Sequence, residues 1–227
     1  MPRARRRQHG ISLTTTIVLV LMSTLLALWS ARTALLHERV VGHAADHQRA
    51  QEAAEAMLQD AQQDLAQHHQ TPIQPLRDRL GATRFPADNE AAFDAFMEHT
   101  LIPQAPTYCL HAICAPRTGA QDFWQNAALL AQMTAEGIGA RHGQYTQAAP
   151  AANPNPLLSE RTPGRGAWYW IEVMRHRPAE ASGSAAPLTH PVHAPFVYRI
   201  TALAQGLKTG SQVVLQSVVA FPSITGE

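Results

Sequence analysis

The stretch MPRARRRQHGISLTTTIVLVLMSTLLALWSAR (residues 1–32) decides the fold. A basic leader carrying Arg3, Arg5, Arg6 and Arg7 ends at Gly10, and no charged residue follows until Arg32. A bilayer core about 30 Å thick needs roughly 20 apolar helical residues to cross it, and residues 11–31 meet that length. The excess of arginine before the segment predicts an N-terminus in the cytoplasm and export of the chain beyond residue 32. A leader that stops at glycine points to cleavage on the cytoplasmic side. An apolar segment that flows into further helix points to its being kept.

An ordinary secretory signal has a shorter apolar core, about 7–15 residues, and small residues before its cut. Here a cut after Ala31 would put Trp29 where a small residue belongs. An uncleaved signal anchor stays open as an alternative. Thr14, Thr15, Thr16, Ser23, Thr24 and Ser30 interrupt the apolar run. Small hydroxyl residues return hydrogen bonds to their own backbone and pack against neighbouring helices, so this helix is expected to meet other helices as well as lipid.

Beyond Arg32 the helical pattern persists. Leu36, Val40, Ala44, His47, Gln51, Ala54, Leu58, Ala61 and Leu65 recur at spacings of three and four, a one-sided stripe of helical period. The stripe is thin and alanine-rich, which suits close packing on a shallow surface such as a sheet. Gly42 costs about 1 kcal/mol relative to alanine inside a helix. His68 and His69, then Thr71-Pro72, end the pattern, and cationic histidines there would suit a helix C-terminus. An unbroken helix from about Ser12 to Gln67 would be on the order of 85 Å long at 1.5 Å per residue.

The middle of the chain is mixed. Ala87-Asp88-Asn89-Glu90 reads as a helix start with Phe93, Phe96 and Met97 on one face. Asp122 to Glu136 reads as another short helix, with Phe123, Trp124, Leu129, Leu130 and Met133. Between them lie the two cysteines, Cys109 and Cys114, flanked by Pro106 and Pro116. In an exported segment they favour a disulfide. Two free thiols, or half of a metal site with His111, are the other readings. Residues 148–166 are rich in proline and glycine and read as loop.

Then the period becomes two. Trp168–Met174, Phe196–Ala204 and Gln212–Phe221 are predicted strands, the last two joined as an antiparallel hairpin by a glycine-flanked turn. Val213, Leu215, Val219 and Phe221 share one face. Residues 178–195 form a second loop. A long helix followed by a late antiparallel sheet is an α+β arrangement. The expected divisions are a leader over 1–10, a transmembrane segment over 11–31, an exported amphipathic half-helix over 32–70, a mixed region with the cysteine loop over 71–166, and a sheet region over 167–227.

The formal net charge is +1, and loss of the leader arginines makes it negative. The exported part therefore carries no basic footprint for nucleic acid. No nucleophile elbow, phosphate loop or EF-hand loop is present, and no catalytic residue, metal or cofactor is expected. His43 and His47 stand four apart on the helix but lack a third ligand, and His190 and His193 read as surface. Trp168, Tyr169 and Trp170 are expected in the core. The loops over 148–166 and 178–195 are the better candidates for partner or adhesion contacts.

The chain resembles type IV pilins and, among them, the PilX-type minor pilins. The likeness rests on Gln8-His9-Gly10-Ile11-Ser12-Leu13, on residues 31–43, on Ala50-Gln51-Glu52-Ala53-Ala54-Glu55-Ala56, and on the closing strands around Val197–Ala202 and Val213–Val218. It is strongest over about the first 60 residues and loose in the middle. It implies a pilin-like fold, with a long helix packed on a C-terminal antiparallel sheet. It also implies cutting after Gly10 by a prepilin peptidase and N-methylation of Ile11. The implied partners are other major and minor pilins, the peptidase, the inner-membrane pilus assembly platform and membrane lipid.

Most major pilins carry glutamate at the fifth mature position, where this chain has Thr15. A buried amine on a neighbouring subunit wants a partner charge, which Thr15 does not supply, so the subunit is expected to cap or start a filament. The implied function is structural: initiating or completing the pilus in support of adhesion, aggregation, twitching or DNA uptake. A minor pseudopilin of a type II secretion system and a signal-anchored periplasmic binding or sensor protein are the alternatives.

Overall fold

The computed structural model describes residues 11–70, 75–87, 89–119, 121–148, 155–176 and 196–221. Helix α1 spans Ile11–Gln70. Alanine, glutamine, glutamate and leucine dominate it, and these residues lose little freedom in a helix. The chain divides into two compact units, Met1–Ala45 and Asp46–Glu227.

The first unit is the apolar half of α1. Its side chains stand open, Leu19, Leu26, Leu28 and Trp29 among them. An 18-residue window reaches a mean hydropathy of 1.9 with none of it buried, so this helix is long and apolar enough to cross a membrane. Thr16, Ser23 and Thr24 each donate to the carbonyl three residues back, at 3.2, 2.9 and 2.9 Å. The hydroxyls are thus satisfied within the helix, which keeps their desolvation cost low.

In the second unit α1 lies on a sheet. Its buried apolar positions are Ala50, Ala53, Ala54, Met57, Ala61 and Leu65. The face is turned from the expected stripe: Ala54, Ala61 and Leu65 are buried, but His47 and Gln51 are exposed and Leu58 is half-buried. The reason is that three aspartates, Asp46, Asp60 and Asp64, take buried places on the packed face.

Short elements come next: α2 (Pro75–Arg79) and α3 (Glu90–Phe96). Asn89 caps α3, its side chain accepting from the Ala92 amide at 2.8 Å. A π-helical turn over Met97–Leu101 extends α3. The expected helix from Asp122 to Glu136 is broken in two. A 3₁₀ turn covers Phe123–Gln125, and α4 covers Ala127–Met133. Asn126 makes the break by accepting from the Ala128 and Leu129 amides as the cap of α4. A one-turn helix, α5 (Pro156–Ser159), stands where sequence predicted only loop.

The strands are β1 (Cys109–Leu110), β2 (Ile113–Cys114), β3 (Gly166–Arg175), β4 (Phe196–Gln205) and β5 (Gln212–Ala220), in spatial order β1-β2-β3-β4-β5. All neighbours are antiparallel except β2 and β3. The cysteine loop is therefore part of the sheet. His111 and Ala112 turn the chain between β1 and β2 with positive φ at both positions, the requirement of a tight hairpin turn. Their amides donate to Gly137 and Ile138 carbonyls at 2.7 and 2.8 Å.

Cys109 and Cys114 face each other across this hairpin and are joined as a disulfide. Its closed loop is short, so the chain-entropy gain is only about 2 kcal/mol. Replacing both cysteines by serine is expected to lower stability by about that much, read as a fall in the urea midpoint. A variant as stable as the parent would show that the hairpin's backbone bonds hold it unaided.

Both faces of the sheet are covered. Tyr169, Ile171, Val173, Tyr198, Ile200 and Ala202 form a core with the Ala50–Leu65 stretch of α1. Trp168, Trp170 and Leu203 point the other way, against the disulfide, Phe123, Leu130 and Met133. This second layer explains why β3 is buried at eight consecutive positions. Trp170 Nε1 donates to the Met133 carbonyl at 3.1 Å. A Cβ on Gly139 would come within 2.9 Å of that nitrogen and 3.1 Å of that carbonyl. Gly139→Ala is accordingly expected to cost about 1–3 kcal/mol by overpacking, and an unchanged denaturation midpoint would disprove it.

Candidate assembly surfaces and the acids that hold helix and sheet together

Three carboxylates of α1 each grip a different part of the second unit. Asp46 accepts from the Leu207 and Lys208 amides, both at 3.0 Å, in the turn between β4 and β5. A Cβ on Gly206 would collide with the Asp46 carboxylate and with Ser211, so this turn needs glycine. Burial alone would raise the Asp46 pKa. The Lys208 and Leu207 amides, the Ser211 hydroxyl and Arg49 outweigh it and hold the carboxyl below its ordinary value.

Asp60, further along the packed face, accepts from the Gly143 amide at 2.7 Å and from the Thr146 hydroxyl. Here burial dominates and raises the carboxyl above the usual range, against the pull of those two donors. Asp64 pairs with Arg77 of α2 through two parallel bonds, with Arg77 Nε at 2.9 Å from Asp64 Oδ1. The Tyr169 hydroxyl donates to the same carboxylate at 3.0 Å. Arg77 also donates to the Thr83 and His111 carbonyls at 2.8 and 3.2 Å and stacks 4.1 Å over the Tyr145 ring. Burial would depress the guanidinium, and Asp64 more than restores it.

Read from the sequence, these acids look scattered. Their signal was present: Asp46, Asp60 and Asp64 fall at helical spacing on the same face as Ala50, Ala53 and Met57. Acids on an apolar stripe need partners, and that need was the clue.

The remaining candidate residues are spread over both units. Gly10 lies outside the described residues. Ile11 is the first residue of α1. Thr14, Thr15, Thr16, Ser23 and Thr24 lie exposed on the apolar half-helix. His43 and His47 are exposed, and no group of metal-ligating residues forms among the described residues. His111 accepts the Thr83 amide on Nδ1 at 3.0 Å, so its ring serves the hairpin. His68 is buried beside Phe85. Burial, then His69 and Arg77, lowers its pKa to about 4. It is neutral near pH 7, which corrects the reading of a cationic helix end. Trp168, Tyr169 and Trp170 are all core. His190 and His193 lie outside the described residues, as do the whole of the 178–195 loop and residues 149–154 of the other.

This arrangement is an exposed apolar helix segment followed by a domain clamped to the rest of the same helix. Two family patterns match it: residues 9–59 match "PilX N-terminal", and residues 99–220 match "Type IV pilus assembly protein PilX C-term". The chain belongs to the PilX family. The N-terminal match takes in the apolar segment and Asp46, and the C-terminal match takes in the disulfide hairpin and the sheet. No curated protein and no solved structure is similar enough to count as a match. PilX membership carries a role in type IV pilus assembly and interaction with other pilus components. The apolar half of α1 fits a membrane-anchored protein.

Proposed function

We propose that the chain is a minor pilin, cut after Gly10 by a prepilin peptidase and methylated on Ile11. It sits in the inner membrane with its N-terminus in the cytoplasm and the domain from Asp46 onward in the periplasm. The assembly platform then draws it into a pilus, where Thr14, Thr15, Thr16, Ser23 and Thr24 let α1 pack closely on the helices of other pilins. Its work is structural and not catalytic. The observation that carries this reading is the unburied apolar half of α1, set within a PilX N-terminal match.

Thr15 gives the reading its finer form. A subunit without an acid there offers no partner to a buried amine next to it, which suits an initiating or capping place. Gold-labelled antibody against the exported domain is expected at filament ends, and regular labelling along the shaft would rule out that placement.

The deciding experiment is the intact mass of the protein from membranes, with and without the prepilin peptidase. The expected result is a peptidase-dependent species beginning at methylated Ile11. A full-length chain in both samples would favour the signal-anchored periplasmic protein instead.

A further inference from the structure

A groove of about 650 Å³ opens on the second unit, lined in part by Gly137, Gly139, Gly143, Arg141, Arg161 and Trp168. Its size is that of a small-molecule site. Two arginines face into it from different loops. Arg141 lies 3.9 Å over the ring of the buried Trp168. Its Nη1 donates to the Arg165 and Ala167 carbonyls at 2.7 and 3.4 Å. A Cβ on Gly166 would stand 2.7 Å from that same nitrogen, so glycine at 166 clears the way for the guanidinium. Arg161 is anchored likewise, its Nη1 donating to the Leu158 and Glu160 carbonyls at 2.8 and 3.1 Å.

Each guanidinium is thus fixed, among the described residues, through one nitrogen, and its other N–H groups can serve a further acceptor. Among the described residues neither has a carboxylate within ion-pair distance; the ion pairs there use Arg49, Arg77, Arg84, Arg175 and Arg199. Burial, then the charge of Arg161, pushes the Arg141 pKa down to about 10 against the pull of Glu160, so Arg141 stays charged at neutral pH while Arg161 repels it. Glu136 also lines the groove, and Glu160 attracts Arg141 from nearby, though the Glu160 carboxylate already accepts from the Arg161 and Thr162 amides.

We propose that this groove binds a small oxyanion-bearing ligand, its carboxylate or phosphate held between Arg141 and Arg161. Planar guanidinium forks suit either group, and an anion between them relieves the repulsion of the two cations. At Gly137 nothing lies within 4 Å of where a Cβ would stand, so ligand atoms can approach the backbone there.

The test is calorimetric titration of the full-length protein in detergent at low salt with inorganic phosphate, glucuronate and uncharged glucose. At least one anion is expected to bind, with glucose silent and affinity falling as salt rises. Preference for phosphate marks a phosphate-bearing ligand, and preference for glucuronate a carboxylate-bearing one. Arg161→Gln is expected to weaken anion binding about ten-fold or more. It should leave the denaturation midpoint in place, because Arg161 is exposed and, among the described residues, its side chain bonds only the adjacent Leu158 and Glu160 carbonyls. Arg141→Lys keeps charge but loses the fork, and is expected to weaken binding as well. Silence with both anions at roughly 10 mM, glucose binding as tightly as glucuronate, or full affinity in Arg161→Gln would overturn the proposal.

Discussion

Asp64→Leu in the full-length, detergent-solubilised protein is expected to lose about 3–5 kcal/mol of unfolding free energy, enough to unfold much of the unit from Asp46 onward. The carboxylate and the guanidinium it pairs with are each only 2% exposed. Removing the acid leaves Arg77 charged, buried and held only by two carbonyls and the aromatic rings of Phe85 and Tyr145. It also takes the acceptor from the Tyr169 hydroxyl, which lies wholly buried. Adding Arg77→Met to Asp64→Leu removes the stranded charge, so the double variant is expected to be more stable than the single one. Urea denaturation followed by tryptophan fluorescence reads both. A single variant within about 1 kcal/mol of the parent would mean that the pair is not the anchor described.

Acid is expected to destabilise the domain through two histidines whose protonation burial opposes. His68 has its folded pKa depressed from 6.5 to about 4. The folded state therefore resists the proton that the unfolded chain accepts. The stability this contributes is full above pH 6.5 and is lost as pH falls toward 4, on the order of 3 kcal/mol in all. His111 is lowered by burial and by Arg77 and acts in the same direction. Asp60 opposes them: its pKa is raised, so its contribution is greatest at low pH and is lost as pH rises through the raised value. Asp46, lowered, adds to the loss only as pH falls below the ordinary aspartate value. Urea midpoints at pH 7, 5.5 and 4 test this. His68→Gln is expected to flatten the decline between pH 7 and 4. A parent protein as stable at pH 4 as at pH 7, or a variant with the parent's slope, would refute it.

The fold was legible where side-chain period speaks for itself. The apolar run without charge, the late strands and the Asn89 start of α3 arise from local chemistry. What escaped was long-range. Four residues between two cysteines do not say that their hairpin will pair in parallel with Ile171 and Glu172, more than 50 positions on. Asn126 looks like any polar residue in a helical window until its side chain takes two amides. The turned packing face of α1 depended on partners for Asp46, Asp60 and Asp64 that lie far along the chain. Of the binding groove, only the loop that carries Arg161 stood out, and Arg141 gave no local sign.

The three acids of α1 also order events in time. Asp64 reaches Arg77 across 13 residues, Asp60 reaches Gly143 across 83, and Asp46 reaches Leu207 across 161. The end of the helix nearest the apolar segment is tied by the last strands of the chain. Closing a longer loop costs more entropy, and contacts distant in sequence form late. The helix thus fastens from its C-terminal end backward, and its Asp46 latch waits for synthesis to be almost complete. A chain stopped before Leu207 leaves that carboxylate facing water, its amide partners unmade.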